Sequence, residues 1–136
     1  KINSKVKHRE GWRPFAPALP LKYLKKYFEG PHVASPFMNV SFKLRDEKKE
    51  ELSQVVHVDG TSRVQTLDAP GEPFYQLTEE LGRLTGTPVV LNTSFNDRGE
   101  PIVNSPADAL DTFLKTGLDL LVARDWVVEK KARGPR

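Results

Sequence analysis

Lys7-His8-Arg9-Glu10-Gly11-Trp12-Arg13 sets a lysine and two arginines close together near the start of the chain. In an extended segment Lys7, Arg9 and Arg13 share parity and project to one side. There they converge on a single polyanion, the arginine forks gripping phosphate oxygens in pairs and the lysine adding a compact point charge. The competing reading is a solvated charged strand. Trp12 and the prolines that follow favour the first, because an aromatic anchor and stiff backbone hold cations in place. A second cluster, His57-Val58-Asp59-Gly60-Thr61-Ser62-Arg63-Val64-Gln65, places a glycine, two hydroxyls and an arginine in succession. Backbone N–H groups, hydroxyls and a fixed charge can cradle an anionic or polar ligand. The same residues also make a plain turn, with His57 a structural histidine. A third cluster follows the apolar run Val89-Val90-Leu91, which empties into Asn92-Thr93-Ser94-Phe95-Asn96. Amides and hydroxyls at the carboxyl end of a strand are well placed to recognise a ligand.

Other chemistries are excluded or disfavoured. The chain has no cysteine, which removes thiol nucleophiles, iron–sulfur sites, zinc fingers and disulfides together and fits a reducing, cytoplasmic setting. No Gly-x-x-x-x-Gly-Lys-Ser/Thr loop, Gly-x-Gly-x-x-Gly or Gly-x-Ser-x-Gly elbow occurs. His8 and His32 lack partners at metal-ligand spacing, so no protein-held metal is expected. Asp108 and Asp111 sit three apart on a predicted helix and read as its solvent face.

The elements that must position these groups follow from periodicity and turn signals. A short strand is expected near Ser4–Arg9, and Arg13-Pro14-Phe15-Ala16-Pro17-Ala18-Leu19-Pro20 must be extended because three prolines forbid a regular helix. Pro20 suits the first position of a helix over Leu21–Phe28, stopped by Gly30. Alternation at Met38, Val40, Phe42 and Leu44 predicts a strand over Phe37–Leu44, and Asp46–Ser53 reads as a solvated helical turn. Val55–Val58 and Ser62–Leu67 are β-rich runs either side of Asp59-Gly60, which makes a hairpin or a functional bend. Pro73–Thr85 carries Phe74, Leu77, Leu81 and Leu84 at helical spacing, with Gly86 and Pro88 as stop signals. Pro88–Leu91 is a short apolar run. Ser105-Pro106 opens a helix over Ala107–Lys115, and Leu118–Ala123 and Trp126–Glu129 form paired strands. No repeat or linker divides the chain: residues 1–129 read as one mixed α/β domain and 130–136 as a polar tail.

The chain has 136 residues, enough to bury a sizeable core without disulfides or a structural metal. No apolar run reaches the length of a membrane span, and no membrane partner is expected. Lys1 stands where a whole protein would have Met, so the expectation is a domain of something longer. The net charge of +3 is unevenly spread. Residues 1–27 carry +7 and residues 124–136 carry +3, leaving −7 between them. A basic leading segment on an acidic body suggests an anionic partner.

Together, Lys7-His8-Arg9-Glu10 with Arg13-Pro14-Phe15-Ala16-Pro17, Ser35-Pro36-Phe37-Met38, His57 to Gln65, and Leu91 to Asn96 with Gly99-Glu100-Pro101-Ile102 resemble the carboxyl-terminal domain of the NodU/CmcH/TobZ family of O-carbamoyltransferases. The order and spacing match from Asn3 to about Val128. The resemblance implies a YrdC/Sua5-like fold, a twisted open mixed α/β sheet with flanking helices around a positively charged cavity. The Lys-x-Arg and Ser-x-Asn signature of that fold is matched by Lys7-His8-Arg9 and Ser94-Phe95-Asn96.

The implied activity is formation of carbamoyl-adenylate from carbamoyl phosphate and ATP, with Mg²⁺ arriving on the ATP. Lys7, Arg13 and Arg63 would be catalytic; Lys7, Arg9, Arg13, Thr61, Arg63, Asn92, Thr93, Ser94 and Asn96 would bind ATP or carbamoyl phosphate. An amino-terminal Kae1-like domain absent from these residues would hold an iron-type metal and pass the carbamoyl group to a small-molecule hydroxyl. The alternatives are a tRNA- or nucleic-acid-binding module and a non-catalytic docking domain. Nucleic acid is disfavoured by the −7 middle and by the lack of interleaved surface aromatics.

Overall fold

A computed structural model describes residues 2–130. They form two compact units, Pro14–Thr93 (the sheet unit) and residues 2–13 together with 94–130 (the composite unit). Both are mixed α/β. No helix among the described residues is long and apolar enough to cross a membrane.

In the sheet unit the proline-rich segment is extended, as its prolines require, and becomes the central strand β1 (Ala16–Pro20), buried along its whole length. It pairs in parallel with β4 (Gln65–Leu67) and antiparallel with β5 (Val90–Asn92). Proline usually sits at sheet edges because it brings no N–H. Here the parallel register begins at Ala18, one residue past Pro17, and Pro20 is the last strand residue. Pro20, at φ −57° and ψ 134°, therefore ends β1 instead of opening a helix. The helix expected over Leu21–Phe28 is a 3₁₀ turn, Leu21–Tyr23, running into one turn of α-helix, Leu24–Tyr27. Phe28 is already extended and bridges to Leu44.

The strand expected over Phe37–Leu44 shortens to β2 (Ser41–Lys43), because Met38 takes a left-handed φ of +57° and turns the chain, leaving Phe37 86 % exposed. β2 pairs antiparallel with β3 (Thr61–Arg63). The β-rich run Ser62–Leu67 is broken at Val64, which is fully buried, and its two halves enter different sheets. Val55–Val58 forms no strand; Ser53–Val55 is a 3₁₀ turn. Leu19, Leu24, Tyr27, Phe28, Phe42, Leu44, Leu52, Val55 and Val64 make the core.

A long helix over Pro73–Thr85 packs on β1, with Pro73 in its first turn and Gly86 closing it at φ +83°. Its boundaries match expectation, but its buried face does not. Leu77 and Leu84 are 61 % and 68 % exposed, whereas Thr78 is fully buried and donates its hydroxyl to the Phe74 carbonyl at 2.8 Å. Small groups allow this close approach: a Cβ on Gly82 would lie 2.6 Å from Pro88 Cβ and 3.0 Å from its Cα. Gly82→Ala therefore lowers the melting temperature, although alanine is the better helix former. Overpacking costs about 1–3 kcal/mol, against a propensity gain of up to about 1 kcal/mol. A thermal melt checks this, and an unchanged or raised midpoint would refute the packing argument.

The composite unit opens not with the expected strand near Ser4–Arg9 but with one helical turn, Ile2–Lys5. Tertiary ties decide the matter: the Lys5 carbonyl accepts the Gly117 N–H at 2.7 Å, and the buried Asn3 amide donates to the carbonyls of Gly11 (3.2 Å) and Arg13 (2.9 Å). A second helix, Pro106–Lys115, is capped as expected, the Ser105 hydroxyl accepting the Asp108 N–H at 3.1 Å. It buries Phe113 and Thr112, and Thr116 just past its end is buried as well. A hairpin of β6 (Leu120–Ala123) and β7 (Trp126–Glu129) follows, with Arg124 at φ +52° in its two-residue loop. Of the expected polar tail, residues 131–136 lie outside the described residues.

Candidate anion-binding site

The two ends of the composite unit bring the first and third sequence clusters together. Lys7, Arg9, Glu10, Arg13, Ser94, Asn96, Asp97, Arg98 and Gly99 line one cavity of about 430 Å³. The segment 7–13 is a turn and not an extended strand, so shared parity is not what gathers its cations. Val6 and Lys7 both donate their N–H to the Ile2 carbonyl, His8 reverses direction at φ +44°, and Asn3 fastens the return. Asn3 Oδ1 also accepts from Arg9 Nε at 2.8 Å, aiming that guanidinium. Trp12 is 78 % exposed and anchors nothing within the described chain; the buried amide of Asn3 does the ordering.

Lys7 is the centre of the site. It is 5 % exposed. Its ammonium donates to the Asn96 carbonyl at 2.5 Å, to Asn96 Oδ1 at 2.7 Å and to the Ser94 carbonyl at 2.9 Å, with Ser94 Oγ at 3.5 Å. Three good acceptors match the three N–H bonds of an ammonium. Asn96 is held in turn, its Oδ1 accepting from Ser94 Oγ at 2.6 Å and its Nδ2 donating to the Glu100 carbonyl at 2.8 Å. Burial pushes the Lys7 pKa below its ordinary value, the Arg9 charge pushes the same way, and Asp97 opposes them. An anion entering the cavity relieves both penalties at once.

Three side chains here were not singled out from sequence. Glu10 pairs with Arg13 Nε at 3.0 Å and lies 3.8 Å from the Arg98 guanidinium. Its own backbone N–H, helped by Arg13, Arg98 and Arg9, holds its carboxyl below the usual range. Asp97 accepts the Arg98 backbone N–H at 2.6 Å and meets His8 Nδ1 at 2.8 Å, and these contacts lower its pKa. Arg98 adds a fourth cation. Lys7, Arg9, Arg13 and Arg98 thus face two carboxylates, leaving the cavity net positive. Surface charges in a turn give little sequence signal; for Arg98 the one cue is its position two residues past Asn96.

The other sequence-derived site residues belong to the sheet unit. Thr61 donates both its N–H (2.9 Å) and its hydroxyl (2.8 Å) to Asp59 Oδ1, closing the Asp59-Gly60 turn around Gly60 at φ +80°. The turn carries the chain into β3, where Arg63 is exposed opposite Ser41. Asn92 ends β5 and donates to Gln65 Oε1 at 2.5 Å; Thr93, next in the chain, is half-buried. Among the described residues no group of three or more His, Asp or Glu side chains is placed to hold a metal ion.

A family profile described as "Carbamoyltransferase C-terminus" matches residues 1–130. Nodulation protein NolNO of Sinorhizobium fredii is 42 % identical over 99 % of this chain and 20 % of its own length. Nodulation protein NolO of Bradyrhizobium diazoefficiens is 42 % identical over 96 % of the chain and 24 % of its own. A 3'-hydroxymethylcephem-O-carbamoyltransferase of Amycolatopsis lactamdurans is 32 % identical over 90 % and 24 %. The chain therefore spans about a fifth to a quarter of the length of these curated relatives. With the profile covering nearly every residue and relatives this similar along almost the whole of it, the chain belongs to the family of carbamoyltransferase carboxyl-terminal domains.

Proposed function

We propose that these residues form the part of an O-carbamoyltransferase that makes carbamoyl-adenylate from carbamoyl phosphate and ATP. The observation that supports this most is the meeting of Lys7, Arg9, Arg13 and Arg98 on one cavity beside Ser94 and Asn96. Water takes the phosphoryl group of carbamoyl phosphate, leaving carbamate and inorganic phosphate. A carbamate oxygen then bonds to the α-phosphorus of ATP, the bond from that phosphorus to the β-phosphate oxygen breaks, and pyrophosphate leaves. Both partners of the second step are anions, so the barrier includes pushing like charges together. Cations fixed in a partly dry cavity neutralise that repulsion and align the oxygens.

The chain's own residues have distinct parts in this reaction. Lys7 supplies a buried charge and holds the loop carrying Ser94 and Asn96. The side chains of Arg13 and Arg98 are half exposed or more, and their pairing with Glu10 is loose enough for phosphate oxygens to take its place. Ser94 and Asn96 offer a hydroxyl and an amide for phosphate or carbamoyl groups. In the sheet unit the same reading assigns ligand contacts to Thr61, Arg63, Asn92 and Thr93, with Arg63 catalytic alongside Lys7 and Arg13. Mg²⁺ comes and goes with ATP as part of the substrate.

The wider reading is a YrdC/Sua5-like twisted sheet completed in the whole protein, acting in the cytoplasm. A Kae1-like amino-terminal domain with its own iron-type metal passes the carbamoyl group to a small-molecule hydroxyl. One of the relatives is named for such an acceptor, 3'-hydroxymethylcephem. Exchange of labelled pyrophosphate into ATP by the full-length protein tests the proposal. Exchange that depends on added carbamoyl phosphate is expected; exchange indifferent to it, or none while the acceptor is still carbamoylated, would overturn it.

A further inference from the structure

The hairpin of the composite unit is apolar on both faces. Val122 pairs with Val127 and Leu120 with Glu129, so Leu120, Val122 and Val127 share one face, and all three are exposed. Leu121 and Val128 pair on the opposite face and are half-buried. Strands that are apolar on both sides belong inside a sheet covered on both sides. Yet among the described residues β6 and β7 pair only with each other, leaving two open edges, and an isolated two-stranded hairpin is marginal in water. The helix Pro106–Lys115, which packs on β6, adds to the exposed surface. It buries Phe113 and turns Leu110 and Leu114, one helical turn apart, outward. Clustered exposed apolar side chains of this kind mark an interaction surface.

We propose that this surface is covered by the polypeptide that precedes Lys1 in the full-length protein, packing on Leu120, Val122 and Val127 and on the Leu110–Leu114 face of the helix. Two observations select that occupant. The relatives devote three quarters or more of their length to other residues, and the matched family is a carboxyl terminus, so that length precedes it. The leading helical turn also enters the composite unit beside this surface, for the Lys5 carbonyl binds the N–H of Gly117, three residues before β6. Chain tethered there meets the hairpin at a high effective concentration, which a second copy of the protein lacks. The inference is independent of the carbamoyl chemistry.

The test uses full-length protein with p-benzoylphenylalanine replacing Val127 or, in a second variant, Val122, and a control carrying it at Lys49 in the sheet unit. After irradiation, cross-linked peptides are mapped by mass spectrometry from bands separated on a denaturing gel. Cross-links from positions 122 and 127 to residues upstream of Lys1, within a monomer-mass band and several-fold above the control, are expected. A dimer-mass band would assign the surface to a second copy and overturn the proposal. Cross-links confined to residues 1–136, or no excess over the control, would overturn it as well.

Discussion

Lys7→Met is expected to lower carbamoyl-phosphate-dependent ATP–pyrophosphate exchange about 10²–10³-fold, the range for losing one pre-set electrostatic contact to a reacting anion. The loss is large because one ammonium has two duties. It carries the most buried positive charge in the cavity, and it ties Ser94 and Asn96 together through three short hydrogen bonds. Methionine preserves chain length and removes both, leaving the carbonyls of Ser94 and Asn96 without this donor, at a cost of about 1–3 kcal/mol. Lys7→Arg separates charge from geometry. A planar fork cannot direct its N–H bonds as the ammonium does, so Arg restores the charge but not the loop. The expected outcome is a folded Lys7→Arg protein that remains well below wild type. A Lys7→Met protein that melts cooperatively and exchanges at the wild-type rate would remove Lys7 from the site.

The second large effect comes from Asn96→Asp. The exchange of an amide for a carboxylate leaves size and shape almost unchanged but puts a negative charge 2.7 Å from the Lys7 ammonium. The ammonium is then neutralised by the protein itself, and an incoming phosphate meets a carboxylate. Like charges brought together cost several kcal/mol, and about 2.7 kcal/mol is already 100-fold in affinity. The KM for ATP is expected to rise about 100-fold or more. The new ion pair compensates folding for the lost amide bond to the Glu100 carbonyl, so the melting temperature is expected to change little. Asn96→Ala discriminates further: it lacks the added charge and is expected to bind ATP better than Asn96→Asp. The reverse order would show that Asn96 acts by hydrogen bonding and that the cavity does not discriminate by charge.

How much of this was legible depended on whether local chemistry or distant packing decides each element. The long helix over Pro73–Thr85 was plain because proline at its start and glycine at its end act locally. The Ser105 cap and the hairpin were plain for the same reason. The helix's buried face was not. Apolar periodicity favours Leu77 and Leu84, whereas close packing buries Thr78 and sets Gly82 against Pro88. The leading turn Ile2–Lys5 is too short to show a period and exists because Asn3 and Gly117 fasten it. Nor does composition reveal that Val64 divides one β-rich run between two sheets.

At the site, residue types carried further than geometry did. Lys7, Arg9, Arg13, Ser94 and Asn96 were recognisable as anion-seeking or ligand-orienting groups, and they do line one cavity. The route to that arrangement was different, since the reversal at His8 and the Asn3 clasp replace the shared parity of an extended strand. Glu10, Asp97 and Arg98 went unmarked because paired charges in turns look alike whether they face solvent or a cavity.

The most direct test is a crystal structure of the full-length protein with a non-hydrolysable ATP analogue and Mg²⁺. The account predicts phosphate oxygens within hydrogen-bond distance of Lys7 and of at least one of Arg9, Arg13 and Arg98, with Glu10 displaced from Arg13. Phosphates bound elsewhere, while Arg13 keeps Glu10 and Lys7 keeps only Ser94 and Asn96, would contradict it.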